Sequence, residues 1–200
     1  MSTSRQGHLI CQGLIDLEAA EPQLEAAPLL LPQLQRWQGR LAEHQGPLFA
    51  GSSSGATSQG SLFEAGEPCP AEGFNPLSLR PQPLSFWRWP QAPVQGAALY
   101  FVIDRPEQLE QPLLLYVGES ARAEQRWKGV HDCKAYLASY NDALHNVGLR
   151  TRLSISFWSD VPKQTKARRM LEQALIRRWL PPFNKETRER WATPFQAEVS

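Results

Sequence analysis

The sequence predicts an α+β protein: a small three-stranded antiparallel sheet flanked by helices, preceded by a Pro-rich, partly extended N-terminal region. Three observations predict it. Ala97 to Ile103 and Leu113 to Gly118 are apolar runs of strand length, joined by a polar stretch with prolines at 106 and 112. Leu153, Ile155 and Phe157 alternate with Arg152, Ser154 and Ser156, the period of a half-buried strand. Gln164 to Leu180 carries helical periodicity and is stopped by Pro181-Pro182.

The chain has 200 residues, 42% of them hydrophobic, enough to bury a core. It contains no uninterrupted apolar stretch near the roughly 18 residues of a membrane span, and no signal-like core follows Met1-Ser2-Thr3-Ser4-Arg5. The expectation is a cytoplasmic protein with no membrane partner. Cysteines 11, 69 and 133 form no CxxC pair, which argues against a disulfide framework and a structural zinc site. Net charge is +1, but it is unevenly spread: residues 1 to 95 carry five Arg, no Lys and eight acids, whereas residues 96 to 200 carry sixteen Lys plus Arg against twelve acids. That asymmetry is compatible with a C-terminal half facing a polyanion or with a solvated surface.

Residues 1–50 contain one amphipathic helix. Leu30, Leu31, Leu34, Trp37 and Leu41 recur at near-helical spacing, which predicts a helix over 33–44 ending near Gly46-Pro47. The helix either docks on the rest of the chain, binds a partner, or both. Residues 51–61 are Gly/Ser-rich with almost no anchoring side chain and read as a linker. Residues 62–95 form a Pro- and aromatic-rich arm. There Trp87, Arg88 and Trp89 either stack on bases or pack back onto the neighbouring domain.

Residues 96–190 form the organised domain, and 191–200 a tail. The two apolar runs make a hairpin closed by Gly118. Ser120 offers an N-cap for a helix through Arg126 to about Lys128. A second helix covers roughly 131–146, with Tyr136, Leu137, Tyr140 and Leu144 on one side, and a strand follows over 149–158. On the last helix Ala167, Met170, Leu171, Ala174 and Leu175 make the expected core stripe, and Glu172 falls on its flank beside Leu175, Ile176 and Trp179. Glu172 there either pairs with Arg168 one turn earlier or ligates a divalent cation, since Mg²⁺ often takes one or two carboxylates plus waters.

The succession of two tyrosine strands, a helix bearing Arg126, a third strand and a helix bearing Glu172 resembles the GIY-YIG nuclease superfamily, which includes homing endonucleases. The resemblance covers about residues 96–185. Tyr116-Val117-Gly118 matches the second signature tripeptide, and Arg126 falls where the family carries its arginine. His131 after Arg126-Trp127-Lys128 resembles the homing branch, and Pro182-Phe183-Asn184 resembles the family's terminal asparagine. The first tripeptide differs, as Ala98-Leu99-Tyr100 lacks its glycine, and the loop between the tyrosine strands is longer than usual.

The resemblance implies a Mg²⁺- or Mn²⁺-dependent endonuclease acting on nucleic acid, DNA in preference to RNA. It implies that Tyr100 takes or orients the water proton beside Tyr116, that Arg126 faces the phosphate, and that Glu172 holds the metal. His131 is the second candidate base, and Asn184 braces the site. Basic residues around that site, Lys128, Lys166, Arg168 and Arg169, are candidates for phosphate contact. Two other classes fit the same sequence: a non-cleaving nucleic-acid-binding module on this scaffold, and a protein interaction adaptor working through the N-terminal region.

Overall fold

The computed structural model describes residues 27–51, 71–88, 94–126 and 132–195. Most of the 51–61 linker, Trp89, Lys128 and His131 lie outside the described residues, as do the side chains of Trp87 and Arg88. The elements in chain order are α1 (Ala27–Phe49), β1 (Gln82–Pro83), β2 (Ala98–Asp104), β3 (Leu113–Ser120), α2 (Ala123–Arg126), α3 (Asp132–Asn146), β4 (Ser154–Trp158), α4 (Thr165–Trp179) and α5 (Arg188–Trp191).

The architecture is α+β around one antiparallel sheet, but the sheet has four strands, not three, in the order β1-β4-β2-β3. The added strand comes from the arm: Gln82 pairs with Ile155 and Pro83 with Ser154 at the free edge of β4. Proline is tolerated there because an edge strand leaves one row of backbone groups unpaired. Two aromatics of the arm, Phe74 and Phe86, pack back onto the domain. Phe74 stacks on Trp158 with ring centroids 4.0 Å apart, and Phe86 meets Phe157 edge-on at 5.1 Å.

Strand β2 is buried along its whole length because the sheet is covered on both faces. Its even-numbered side chains, Tyr100 and Val102, join the α1 and α3 layer. Its odd-numbered ones, Leu99, Phe101 and Ile103, meet Leu171, Leu175 and Trp179 of α4. Strand alternation therefore divides β2 between two separate cores, and in β3 a bulge opposite Val102 and Ile103 puts the neighbours Leu115 and Tyr116 on one face.

Helix α1 is longer than its periodicity predicts, running through Gly46-Pro47 to Phe49. Tertiary contacts override the local breakers. Leu34, Trp37 and Leu41 are buried, and Trp37 lies against Tyr140 and Phe183. Beyond them Phe49 packs on Trp179 at 4.6 Å. Of the two roles open to this helix, docking on its own chain is the one observed. A buried polar chain fixes its register: Gln38 Nε2 donates to the Tyr140 hydroxyl at 2.6 Å, and that hydroxyl donates to Asp104 at 2.8 Å.

Strand β4 begins at Ser154, five residues later than the predicted start. Residues 147–149 instead close α3, with Gly148 in a left-handed conformation and Leu149 N–H returning to Leu144 O. On α4 the buried residues are Arg168, Leu171, Leu175, Ile176 and Trp179. Met170, expected in the core stripe, is 65% exposed.

Candidate active site at the end of strand β3

The hairpin register sets Tyr100 opposite Gly118, with Val102 opposite Tyr116. Tyr100 and Tyr116 therefore share the α3 face, their rings stacked 5.9 Å apart. Gly118 is required by this packing. A Cβ built on it would overlap Cζ and Oη of Tyr100, so the phenol lies directly across the glycine backbone. Ala98, at the position where the resembling family has glycine, needs no such freedom: its φ is negative and it pairs with Ser120.

Arg126 Nε, on the short helix that follows β3, donates to the Tyr100 oxygen at 3.3 Å, and the Tyr116 hydroxyl shares a hydrogen bond with the same phenol. Burial pushes the Tyr100 phenol up to about 12, even with the Arg126 charge and both hydrogen bonds acting to lower it. Burial and the adjoining Tyr100 push Tyr116 higher still. Tyr100 is fully buried, whereas Tyr116 is partly open and Arg126 is exposed. Tyr100, expected to take or orient the water proton, is thus enclosed, and Arg126 and Tyr116 present the more open polar groups beside it.

Glu119, next to Gly118, points by strand alternation to the opposite face, where α4 lies. Its Oε2 accepts from Arg168 Nε at 2.8 Å and its Oε1 from Arg169 Nε at 3.3 Å. Arg168 is fully buried. Its remaining guanidinium donors reach Pro162 O at 3.1 Å, Lys163 O at 3.0 Å and Thr165 Oγ1 at 3.5 Å. That corrects two expectations: Arg168 is not a surface contact for phosphate, and its carboxylate partner is Glu119 instead of Glu172.

Glu172 is half-buried on α4, where the Glu119 backbone N–H lies near enough to favour its ionised form. Burial, then the neighbouring Glu119 and Glu186 carboxylates, raise its pKa to about 7, with Arg169 opposing. Arg126 feels Tyr100, Tyr116 and Glu119, and Glu119 is the charge common to both sets. The predicted residues thus fall into two clusters, one on each face of the sheet, that meet at the end of β3.

Asn184 sits outside the β3 edge. Its Oδ1 accepts from Val117 N–H at 2.9 Å and its Nδ2 donates to Val117 O at 2.7 Å. One carboxamide thus replaces a missing neighbour strand and leaves Asn184 occupied as a brace. Leu180 turns the chain there in a left-handed C-cap, and the Thr187 hydroxyl closes the turn onto Pro181 O. Three residues earlier on the same edge, Gln45 of α1 does likewise, accepting Leu114 N–H at 2.8 Å and donating to Leu114 O at 3.0 Å.

Glu119 and Gln45 are site-supporting residues that sequence reasoning did not single out, and Arg168 is one to which it gave another role. Arg168 carried a readable signal, since it shares the i, i+3, i+7 stripe of Leu171 and Leu175. A charge on such a stripe requires a buried partner.

Among the described residues no group of three or more His, Cys, Asp or Glu side chains could hold a metal. The residues do fit a cation held by one or two carboxylates and water. Glu172 is a partly desolvated carboxylate beside two others, and a cation there would relieve the repulsion that raises its pKa. Comparison with models of known families, with curated proteins and with solved structures finds no match.

Proposed function

We propose that the chain is a divalent-metal-dependent endonuclease of the GIY-YIG kind that hydrolyses phosphodiester bonds in nucleic acid, with DNA the preferred substrate. The observation that carries this reading is the convergence of Arg126 and Tyr116 on Tyr100, packed against the glycine of a Tyr-Val-Gly tripeptide. The scissile phosphate lies across the end of β3, with Arg126 on one side and Glu172 on the other.

Hydrolysis joins a water oxygen to phosphorus, breaks the ester P–O bond and leaves the departing sugar oxygen with one of the water's protons. Charge grows on the non-bridging oxygens, and a guanidinium held at fixed orientation stabilises it without reorganising. Tyr100 supplies that fixation by accepting Arg126 Nε, which leaves the terminal nitrogens of the exposed guanidinium for phosphate. Tyr116, hydrogen-bonded to Tyr100 and partly open, has an oxygen lone pair to orient a water. Mg²⁺ or Mn²⁺, when bound, supplies positive charge to the phosphoryl group and lowers the pKa of water. Glu172 would hold it, with Glu119 kept by Arg168 and Arg169 as the second carboxylate nearby.

Purified protein incubated with fluorescent linear, branched and single-stranded DNA, and with RNA, tests this reading. Cleavage in Mn²⁺ or Mg²⁺ that stops with chelator is expected. Nucleic-acid binding without cleavage of any substrate would refute it in favour of the non-cleaving module.

A further inference from the structure

The sequence reads Ala167, Met170 and Ala174 as part of the core stripe, yet the fold turns Met170 to solvent and leaves Ala167 and Ala174 half-buried on either side of it. Met170 is the one large apolar side chain exposed among the described residues. Around it the outer face of α4 forms a shallow groove of about 910 Å³, floored by those three residues and rimmed by Lys166, Arg169 and Arg177. Among the described residues no acidic one lines it.

We propose that this groove docks an acidic amphipathic helix of a protein partner. An apolar floor inside a rim of one charge is the complement of a helix that carries apolar residues at i, i+3, i+4 and i+7 between carboxylates. Methionine suits such a floor because its unbranched thioether adapts to different side chains. Two other occupants fit worse. A second copy of the chain placed α4 on α4 would set Lys166, Arg169 and Arg177 against their own duplicates. Nucleic acid would gain nothing from alanine and methionine beneath its phosphates. At roughly 100° per residue, Met170 also points about 160° away from Glu172, so the apolar floor and that carboxylate lie on different sides of α4. The inference does not rest on the nuclease reading: peptide binding by a chain that cleaves nothing would leave it intact.

The test is fluorescence anisotropy with the full chain and a labelled helical peptide of about 18 residues, with Leu at i, i+3, i+4 and i+7 and Glu elsewhere. A shuffled peptide of the same composition is the control. The designed peptide is expected to bind about tenfold more tightly than the shuffled one, and Met170→Glu or Arg177→Glu to weaken it by about tenfold or more. Met170→Glu places a charge on an exposed helix position, so circular dichroism is expected to match wild type. Equal binding of the two peptides, or wild-type binding by Met170→Glu, would overturn the proposal. So would displacement of the peptide by an oligonucleotide whose own affinity falls in Met170→Glu, which assigns the groove to nucleic acid. Self-association in sedimentation that Met170→Glu abolishes would likewise assign it to a second copy.

Discussion

Glu172→Gln removes the charge that the fold disfavours, and it should make the protein more stable at pH 8 while changing little at pH 4. The Glu172 pKa rises from 4.5 to about 7 on folding because burial and two neighbouring carboxylates oppose its ionisation. Between those values the unfolded carboxyl ionises while the folded one stays protonated. The native state therefore binds more protons, and stability falls as pH rises through that window. Each pH unit costs about 1.4 kcal/mol, which sets a ceiling of roughly 3 kcal/mol. Glu172 is partly open to solvent, so screening reduces the expected gain for the Gln variant at pH 8 to about 1–2 kcal/mol. Urea unfolding at pH 4 and pH 8 measures it. A Gln variant no more stable than wild type at pH 8 would show that the carboxylate is not held in a repulsive, desolvated place. The reasoning about the cation would fail with it. Repeating the pH 8 series with Mg²⁺ adds a second arm: wild type should gain stability and the Gln variant should not.

Gly118→Ala places a methyl group inside the Tyr100 ring and should cost about 1–3 kcal/mol in urea unfolding; unchanged stability would deny the close approach. Asn184→Ala strips both backbone partners from Val117, which should destabilise the fold by about 2 kcal/mol and raise hydrogen exchange at the Val117 amide. Arg168→Met leaves Glu119 without its buried partner and should cost about 3–5 kcal/mol, whereas the double variant with Glu119→Gln should recover part of that loss. Additive losses in that cycle would dissolve the pair.

Strand, helix and turn identities were legible wherever hydrophobic period and breakers agreed. The tyrosine hairpin, α3 and α4 fall within one or two residues of their predicted limits. Reading failed where long-range contacts decide. Pro47 predicts a helix end, yet Phe49 has Trp179 to pack on and the helix continues. Gln82-Pro83 has no strand pattern, and only the open edge of β4 makes it one. On α4 the apolar count favours a stripe centred on Met170, while the buried stripe is the one carrying Arg168, because Glu119 and two carbonyls satisfy its guanidinium.

The site shows the same division. Tyr100, Tyr116 and Arg126 were readable from residue type and order, and they meet. That Glu119, and with it the α4 carboxylate beside it, lies on the face opposite the phenols follows from strand parity, which needs the register of the hairpin before it can be applied.

The most direct test of the account is single-turnover cleavage in Mn²⁺ by wild type, Arg126→Ala and Glu172→Ala, each verified as folded, on whichever nucleic acid the wild type cuts. If the two clusters act on one phosphate across the end of β3, each variant should lose about 100-fold or more in cleavage rate, with substrate affinity changed by less than about threefold. Cleavage by Glu172→Ala at the wild-type rate would contradict it, because the acid on the far face would then have no part in the reaction.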